Sequence, residues 1–251
     1  MYYLGFGFFL TALFYAAIGF GGGSTYTALL TLTQIDFHIL PLISLFCNLL
    51  VVSGSSYLYI KYGHLNIKLS AALGVFSIPA AWFGSQVVLN KNQFLLILGC
   101  SLMISGIILL TEKERLLSEK PVSKYNALLL GPMAGVPLGF LAGITGIGGG
   151  IFLAPLLHHL KMMPPRAVAA ITSFFILINS ITGLIGHLIK LPQEVLSWSA
   201  ISPYLLLPCA VLLGGQVGSR LGINLLSSLW IKRFTAILIL YVSGQLLWKV
   251  T

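Results

Sequence analysis

Apolar segments of about twenty residues recur along the whole of this chain, as helices that cross a bilayer require. Two of them are broken at matching places by glycine. Gly19-Phe20-Gly21-Gly22-Gly23 lies near the start and Gly146-Ile147-Gly148-Gly149-Gly150 lies 127 residues later, about half of the 251-residue chain. Glycine in an apolar run frees the backbone to turn and lets other atoms approach closely. The same interruption at corresponding points of two halves indicates an internally duplicated membrane protein whose site lies where the halves meet.

Composition excludes the soluble alternative. The chain is 57% hydrophobic and 8% charged, where a soluble domain carries about 25% charged residues, and its mean hydropathy is +0.98. No water-soluble domain is expected, since the longest polar stretch runs only from about Glu112 to Lys124. Met1-Tyr2-Tyr3 opens no basic n-region, so no cleavable signal is expected. Cys47, Cys100 and Cys209 are scattered without metal or disulfide spacing. The net charge of +9 reads as basic loops held in the cytoplasm rather than as a nucleic-acid footprint.

The expected architecture is all-α: a polytopic membrane protein of two inverted repeats, each with a glycine-broken helical segment, re-entrant or paired short helices, plus three transmembrane helices. Residues 1–111 form the first repeat, 112–125 a cytoplasmic linker and 126–251 the second repeat. In the first, a broken stretch at Leu4–Thr33 precedes spans near Ile39–Ile60, Ile67–Leu89 and Phe94–Leu110. In the second, a broken stretch at Leu128–Leu160 precedes spans near Ala167–Ile189, Leu196–Leu221 and Leu229–Trp248. Ser44 and Gly54 recur as Ser173 and Gly183, and Gly84-Ser85 recurs as Gly218-Ser219.

Each broken stretch is too long for one straight crossing and short for two. Its 30 or 33 residues would make a helix of about 45–50 Å, against a core of about 30 Å. Basic residues decide between the topologies. If each stretch crossed once, the fourteen Lys and Arg would divide eight to six. If each returns to its starting side, one face holds only Lys91, Lys190 and Lys249 and the other holds eleven. The positive-inside rule selects the second arrangement, with inverted halves and both termini outside the cytoplasm.

These residues resemble the TauE/SafE family of sulfite and organosulfonate exporters. The resemblance rests on Gly-Ile-Gly-Gly-Gly-Ile-Phe-Leu-Ala-Pro-Leu-Leu at 146–157, Pro164-Pro165-Arg166-Ala167-Val168-Ala169, Thr172-Ser173 and Gly183. A weaker copy runs through Gly-Phe-Gly-Gly-Gly-Ser-Thr at 19–25, Pro41, Ser44 and Gly54. It implies a permease of the bacterial inner membrane that exports a small sulfur oxyanion or organosulfonate, such as sulfite or sulfoacetate. An anion channel on the same scaffold, or an uptake carrier for another small carboxylate or sulfur anion, is the alternative. Two positions depart from the family pattern: Ala28 stands where the second half has Pro155, and Leu45 follows Ser44 where a paired Thr-Ser is expected.

The residue chemistry agrees. A half-helix that starts after a glycine turn presents unpaired N–H groups and a positive dipole end, a ready anion site. The expected substrate-binding set is Gly21, Gly22, Gly23, Ser24, Thr25, Ser44 and Asn48 from the first half, and Gly148, Gly149, Gly150, Thr172, Ser173 and Asn179 from the second. Ser24 and Thr25 add hydroxyls that Ile151 and Phe152 do not, which makes the first cluster the more polar. An intramembrane Asn is costly unless paired, which places Asn48 inside the bundle. The alternative for each residue is packing or an interhelical hydrogen bond without a substrate role. Asp36, Glu112, Glu114, Glu119 and Glu194 all fall in loops or at segment ends, so no buried carboxylate is expected to relay protons. Catalytic and metal-site signatures are lacking. No enzyme activity, catalytic residue, metal, cofactor or nucleic-acid partner is expected. The expected partners are the bilayer and a small anion, and a homo-oligomer is compatible with the sequence.

Overall fold

A computed structural model of the chain describes residues 2–17, 19–33, 35–111, 124–160, 163–190, 202–222 and 228–248. The described residues form ten α-helices and no strand: α1 Tyr2–Ala17, α2 Gly23–Thr31, α3 Leu40–Lys61, α4 Ile67–Gln86, α5 Lys91–Thr111, α6 Lys124–Thr145, α7 Gly150–His159, α8 Pro165–Lys190, α9 Leu206–Gly222 and α10 Ser228–Trp248. Local chemistry sets several of their limits. Pro41 occupies the first turn of α3, where a missing N–H costs nothing. The Asn66 side chain caps α4 by accepting from the Leu69 N–H at 3.2 Å. The span expected at Leu196–Leu221 departs from its predicted start. Its helix begins at Leu206, after a 3₁₀ turn at Ser202–Tyr204, and Pro208 fits there because the first turn leaves its N–H groups unpaired. The expected residues 196–201 lie outside the described residues, as does the linker up to 123.

Both glycine clusters break the helix, and the chain folds back at each. Gly19 and Gly22 have φ of 81° and 85°, and Gly146, Gly148 and Gly149 have 69°, 82° and 76°, the left-handed region that glycine alone enters without strain. Beyond the first cluster α2 runs back beside α1. The Tyr15 and Thr25 hydroxyls are 2.7 Å apart, and the Phe8 and Tyr26 rings stack at 4.6 Å. Beyond the second cluster, α7 places Leu153, Ala154 and Leu157 against Ala134 of α6 and Val168, Ile171 and Phe175 of α8. A half-helix that enters and returns needs no second long apolar span.

The packing is reciprocal between the halves. Helix α4 packs on α6, and α9 packs on α1; α4 also meets α8, as α9 meets α3. The matched glycines show it atom by atom: Gly84 of α4 lies against the Phe140 carbonyl of α6, and Gly218 of α9 against the Leu13 carbonyl of α1. Corresponding helices also pair with each other, α3 with α8 and α5 with α10. These pairs run antiparallel. Gly99 of α5 abuts Leu247 while Gly106 abuts Leu240, and Ser243 donates to the Gly99 carbonyl at 2.9 Å. Two bundles result: α1, α2, α3 and α9, and α4, α6, α7 and α8, each drawing helices from both halves.

Close approach in the second bundle comes from a stripe that the sequence reading left unused. Gly131, Gly135, Gly139 and Gly143 line one face of α6 and rest on the backbone of α4 at Ala72, Leu73, Ser77 and Ala81, the small-residue packing that membrane helices use where no hydrophobic driving force is available. Polarity is arranged accordingly. Ser44, Asn48, Ser77, Thr172, Ser173 and Ser180 are fully buried, whereas Phe6, Tyr57, Val75, Phe83, Ile104 and Leu213 are more than half exposed. Such an apolar exterior suits lipid. Among the described residues, Leu40–Lys61, Ile67–Gln86, Lys91–Thr111 and Arg166–Lys190 are long and apolar enough to cross a membrane.

Candidate functional site

The two turns meet around one side chain. Asn48 lies in α3, with Ser44 one turn before it, and both are fully buried. The Asn48 side-chain amide donates to the Ile147 carbonyl in the second cluster at 2.9 Å. The same side chain fills the space beside Gly21 and Gly23 of the first cluster, where any Cβ would collide with it. Gly148 completes the ring: a Cβ there would lie 3.0 Å from the Asn48 amide nitrogen and 3.0 Å from the Ser180 hydroxyl. Asn48 therefore joins both glycine turns to the crossing of α3 and α8.

Serines at matched positions hold the turns. Ser44 donates to the Gly23 carbonyl at 3.0 Å and accepts from the Thr27 hydroxyl at 2.8 Å. Ser173 donates to the Gly19 carbonyl at 2.6 Å. Each of these two serines thus fixes the first cluster, one from α3 and the other from α8. The second cluster rests instead on Pro41, whose Cα lies 2.7 Å from where a Gly146 side chain would begin.

The remaining expected residues divide into occupied and open groups. Ser24 and Thr25 are buried in α2, and Thr25 directs its hydroxyl to Tyr15 within the hairpin. Gly22 faces Thr11 and Tyr26 in the same hairpin. Gly149 packs on Leu138 and Phe175, and Gly150 on Thr172 and Ile176. Asn179 donates to the Phe175 carbonyl of its own helix at 2.8 Å. Several buried polar atoms have no hydrogen-bond partner: Asn48 Oδ1, Thr172 Oγ1, Asn179 Oδ1, Ser180 Oγ and the Tyr26 hydroxyl. Buried polar atoms are nearly always paired, so the open atoms of Asn48 and Ser180, which meet beside Gly148, call for an explanation. The partner that sequence reasoning missed is the Ile147 carbonyl, which no side-chain pattern marks; Ser180, a polar candidate of the same span in the sequence, lies seven residues after Ser173 and so on the same face of α8.

The geometry can hold an anion. Gly22 caps α2 without any side-chain bond, and the first main-chain bond there runs from Tyr26 N to the Gly22 carbonyl. The N–H groups of Gly23, Ser24 and Thr25 therefore begin the helix without i−4 partners, and α7 begins in the same way after Gly149. The start of α2 at Gly23 lies against Asn48, the Ser180 hydroxyl meets Asn48 beside Gly148, and Thr172 lies beside Gly150 at the start of α7.

Comparison with known proteins gives the same direction. The family model described as "Sulfite exporter TauE/SafE" matches residues 3–246. The chain belongs to the TauE/SafE family. This TauE/SafE protein is therefore an integral membrane protein of a transporter family. It is 30% identical over 248 residues to the "Probable membrane transporter protein y4hK" of Sinorhizobium fredii, covering 96% of each chain. It is 28% identical over 198 residues to the "Probable membrane transporter protein YunE" of Bacillus subtilis, covering 69% of this chain and 72% of that one. No solved structure matches it.

Proposed function

We propose that this TauE/SafE protein exports a small sulfur oxyanion or organosulfonate, such as sulfite or sulfoacetate, across the bacterial inner membrane. The observation that carries the reading is the convergence of both glycine turns on Asn48. It forms one site at the crossing of the halves, rich in N–H and hydroxyl donors. None of the buried polar or charged residues among those described is acidic or basic. Such a site suits an anion held by hydrogen bonds, and an inside-negative potential favours the exit of an anion by about 2.3 kcal/mol per charge per 100 mV.

The packing supports alternating access. The antiparallel pairs α3/α8 and α5/α10 support two inverted repeats, 1–111 and 126–251, and the distribution of Lys and Arg supports both termini outside the cytoplasm. The moving parts, in this reading, are the two mixed bundles. They meet at α3 and α8, and because the hub residues are buried, a substrate reaches Asn48 only when the bundles part on one side.

Efflux of radiolabelled sulfite from proteoliposomes of the purified protein tests the proposal. Saturable efflux, competed by sulfoacetate, is the expected result. A high conductance without saturation would replace the carrier with a channel, and no flux of any sulfur anion would overturn the substrate class.

A further inference from the structure

A cleft of about 290 Å³ opens where α4, α6 and α8 end and α3 and α5 begin, lined by His38, Pro41, Val88, Ile144, His187 and Lys190 among others. It leads toward the hub, since Pro41 on its wall is the residue on which Gly146 rests. Two of its polar side chains are tied in place by separate helices. Lys190, the last residue of α8, donates from Nζ to the Val87 carbonyl after α4. One turn earlier, His187 Nε2 lies 2.7 Å from the Gly143 carbonyl of α6, which requires that nitrogen to carry the proton. Gln86 adds a third tie, from its amide to the Gly186 carbonyl at 3.0 Å.

A lysine in the last turn of a helix offsets the helix dipole, and a single hydrogen bond to Val87 leaves the ammonium two more protons to donate. Its position inside a concave wall adds something further. None of the described lining residues is acidic. The carboxylate of Asp36, two residues before His38, is held by its own turn, accepting the His38 N–H at 2.9 Å. A recess with apolar walls and charge of one sign focuses the field and concentrates counter-ions.

We propose that this cleft is an anion-binding vestibule on the non-cytoplasmic face, in which Lys190, flanked by His187 and His38, holds a small oxyanion as it leaves the hub past Pro41. The proposal rests on the reading of the protein as an anion transporter, and it assigns a second binding site distinct from Asn48.

The test measures local charge without measuring transport. Val88 lines the cleft and is 80% exposed, so Val88→Cys can be labelled in a Cys100→Ser, Cys209→Ser background, with Cys47 left buried. Anionic sulfonatoethyl and cationic trimethylammonioethyl methanethiosulfonates are compared in phosphatidylcholine nanodiscs, each rate normalised to free cysteine. The anionic reagent is expected to react faster, sulfite and sulfate to slow it, and Lys190→Gln to lower the anion-to-cation ratio about three- to tenfold, with Lys190→Arg retaining it. A ratio unmoved by Lys190→Gln overturns the proposal. So does a Lys190→Gln effect that disappears in phosphatidylglycerol nanodiscs, where both variants meet the same surface potential, because a lipid headgroup would then be the occupant. Loss of sulfite efflux with this charge signature intact would refute the sulfur substrate and leave the vestibule standing.

Discussion

The Asn48 side chain donates to the Ile147 carbonyl across 2.9 Å, a bond between residues 99 positions apart. It joins the middle of a first-half helix to the turn of the second half, and the same side chain lies against Gly21 and Gly23 of the first turn. Position 48 has no polar counterpart: the register that pairs Ser44 with Ser173 pairs Asn48 with Leu177. The duplication therefore yields one asymmetric site rather than two.

Asn48→Asp is expected to reduce sulfite efflux more than tenfold. The new carboxylate repels an anion and cannot donate to Ile147. Asn48→Ala leaves that carbonyl unpaired, at a cost of about 1–3 kcal/mol in stability. Proteoliposome flux and thermal melting in detergent separate the two effects. Equal flux for Asn48→Asp and Asn48→Ala would remove charge repulsion from the account.

Gly23→Ala tests the close approach of the turns. Its Cβ would collide with the Asn48 amide and lie 2.6 Å from the Ile147 carbonyl oxygen, so efflux should be lost. Gly63→Ala is the control: φ is 70°, but no atom lies within 4 Å of its Cβ. It should cost about 1–2 kcal/mol of backbone strain and leave the flux kinetics unchanged.

Ser173→Ala removes the 2.6 Å bond from α8 to the Gly19 carbonyl. A several-fold fall in maximal efflux is expected, with about 1 kcal/mol lost in stability. Ser101 bonds only to the Ile97 carbonyl of its own helix, so Ser101→Ala should transport normally. Matching defects in the two variants would show that Ser173 has no special part.

Gly139→Leu should prevent the second bundle from assembling. Its Cβ would sit 2.5 Å from the Ser77 carbonyl oxygen and 2.7 Å from the Ser77 Cα, which are backbone atoms that cannot move aside without separating α4 from α6. Loss of the monodisperse peak in size-exclusion chromatography is the expected result.

A reporter fused after Thr251 should behave as non-cytoplasmic: alkaline phosphatase active, green fluorescent protein dark. The opposite pattern would remove the basis for inverted halves.

Much of the fold was legible because lipid limits what a chain can do. A run of about twenty apolar residues in a bilayer has to be helical to satisfy its own backbone. The spans read at Ile39–Ile60, Ile67–Leu89 and Phe94–Leu110 accordingly appear as Leu40–Lys61, Ile67–Gln86 and Lys91–Thr111. The breaks at Gly19–Gly23 and Gly146–Gly150 were equally plain, since only glycine takes left-handed φ freely and the sequence puts it where the turns fall.

Tertiary structure decided which groups face one another. Side-chain identity showed that Ser24 and Thr25 carry hydroxyls, but not that Thr25 spends its hydroxyl on Tyr15. Nor did it show that the open Ser180 hydroxyl of the opposite half meets Asn48 beside Gly148. The Ile147 carbonyl was invisible because every residue has one, and only the crossing of α3 and α8 brings this one to Asn48. The exchange of α4 and α9 between bundles was hidden for the same reason. Periodicity along a helix fixes which residues share a face, while the partner of that face is set by close packing among helices distant in sequence.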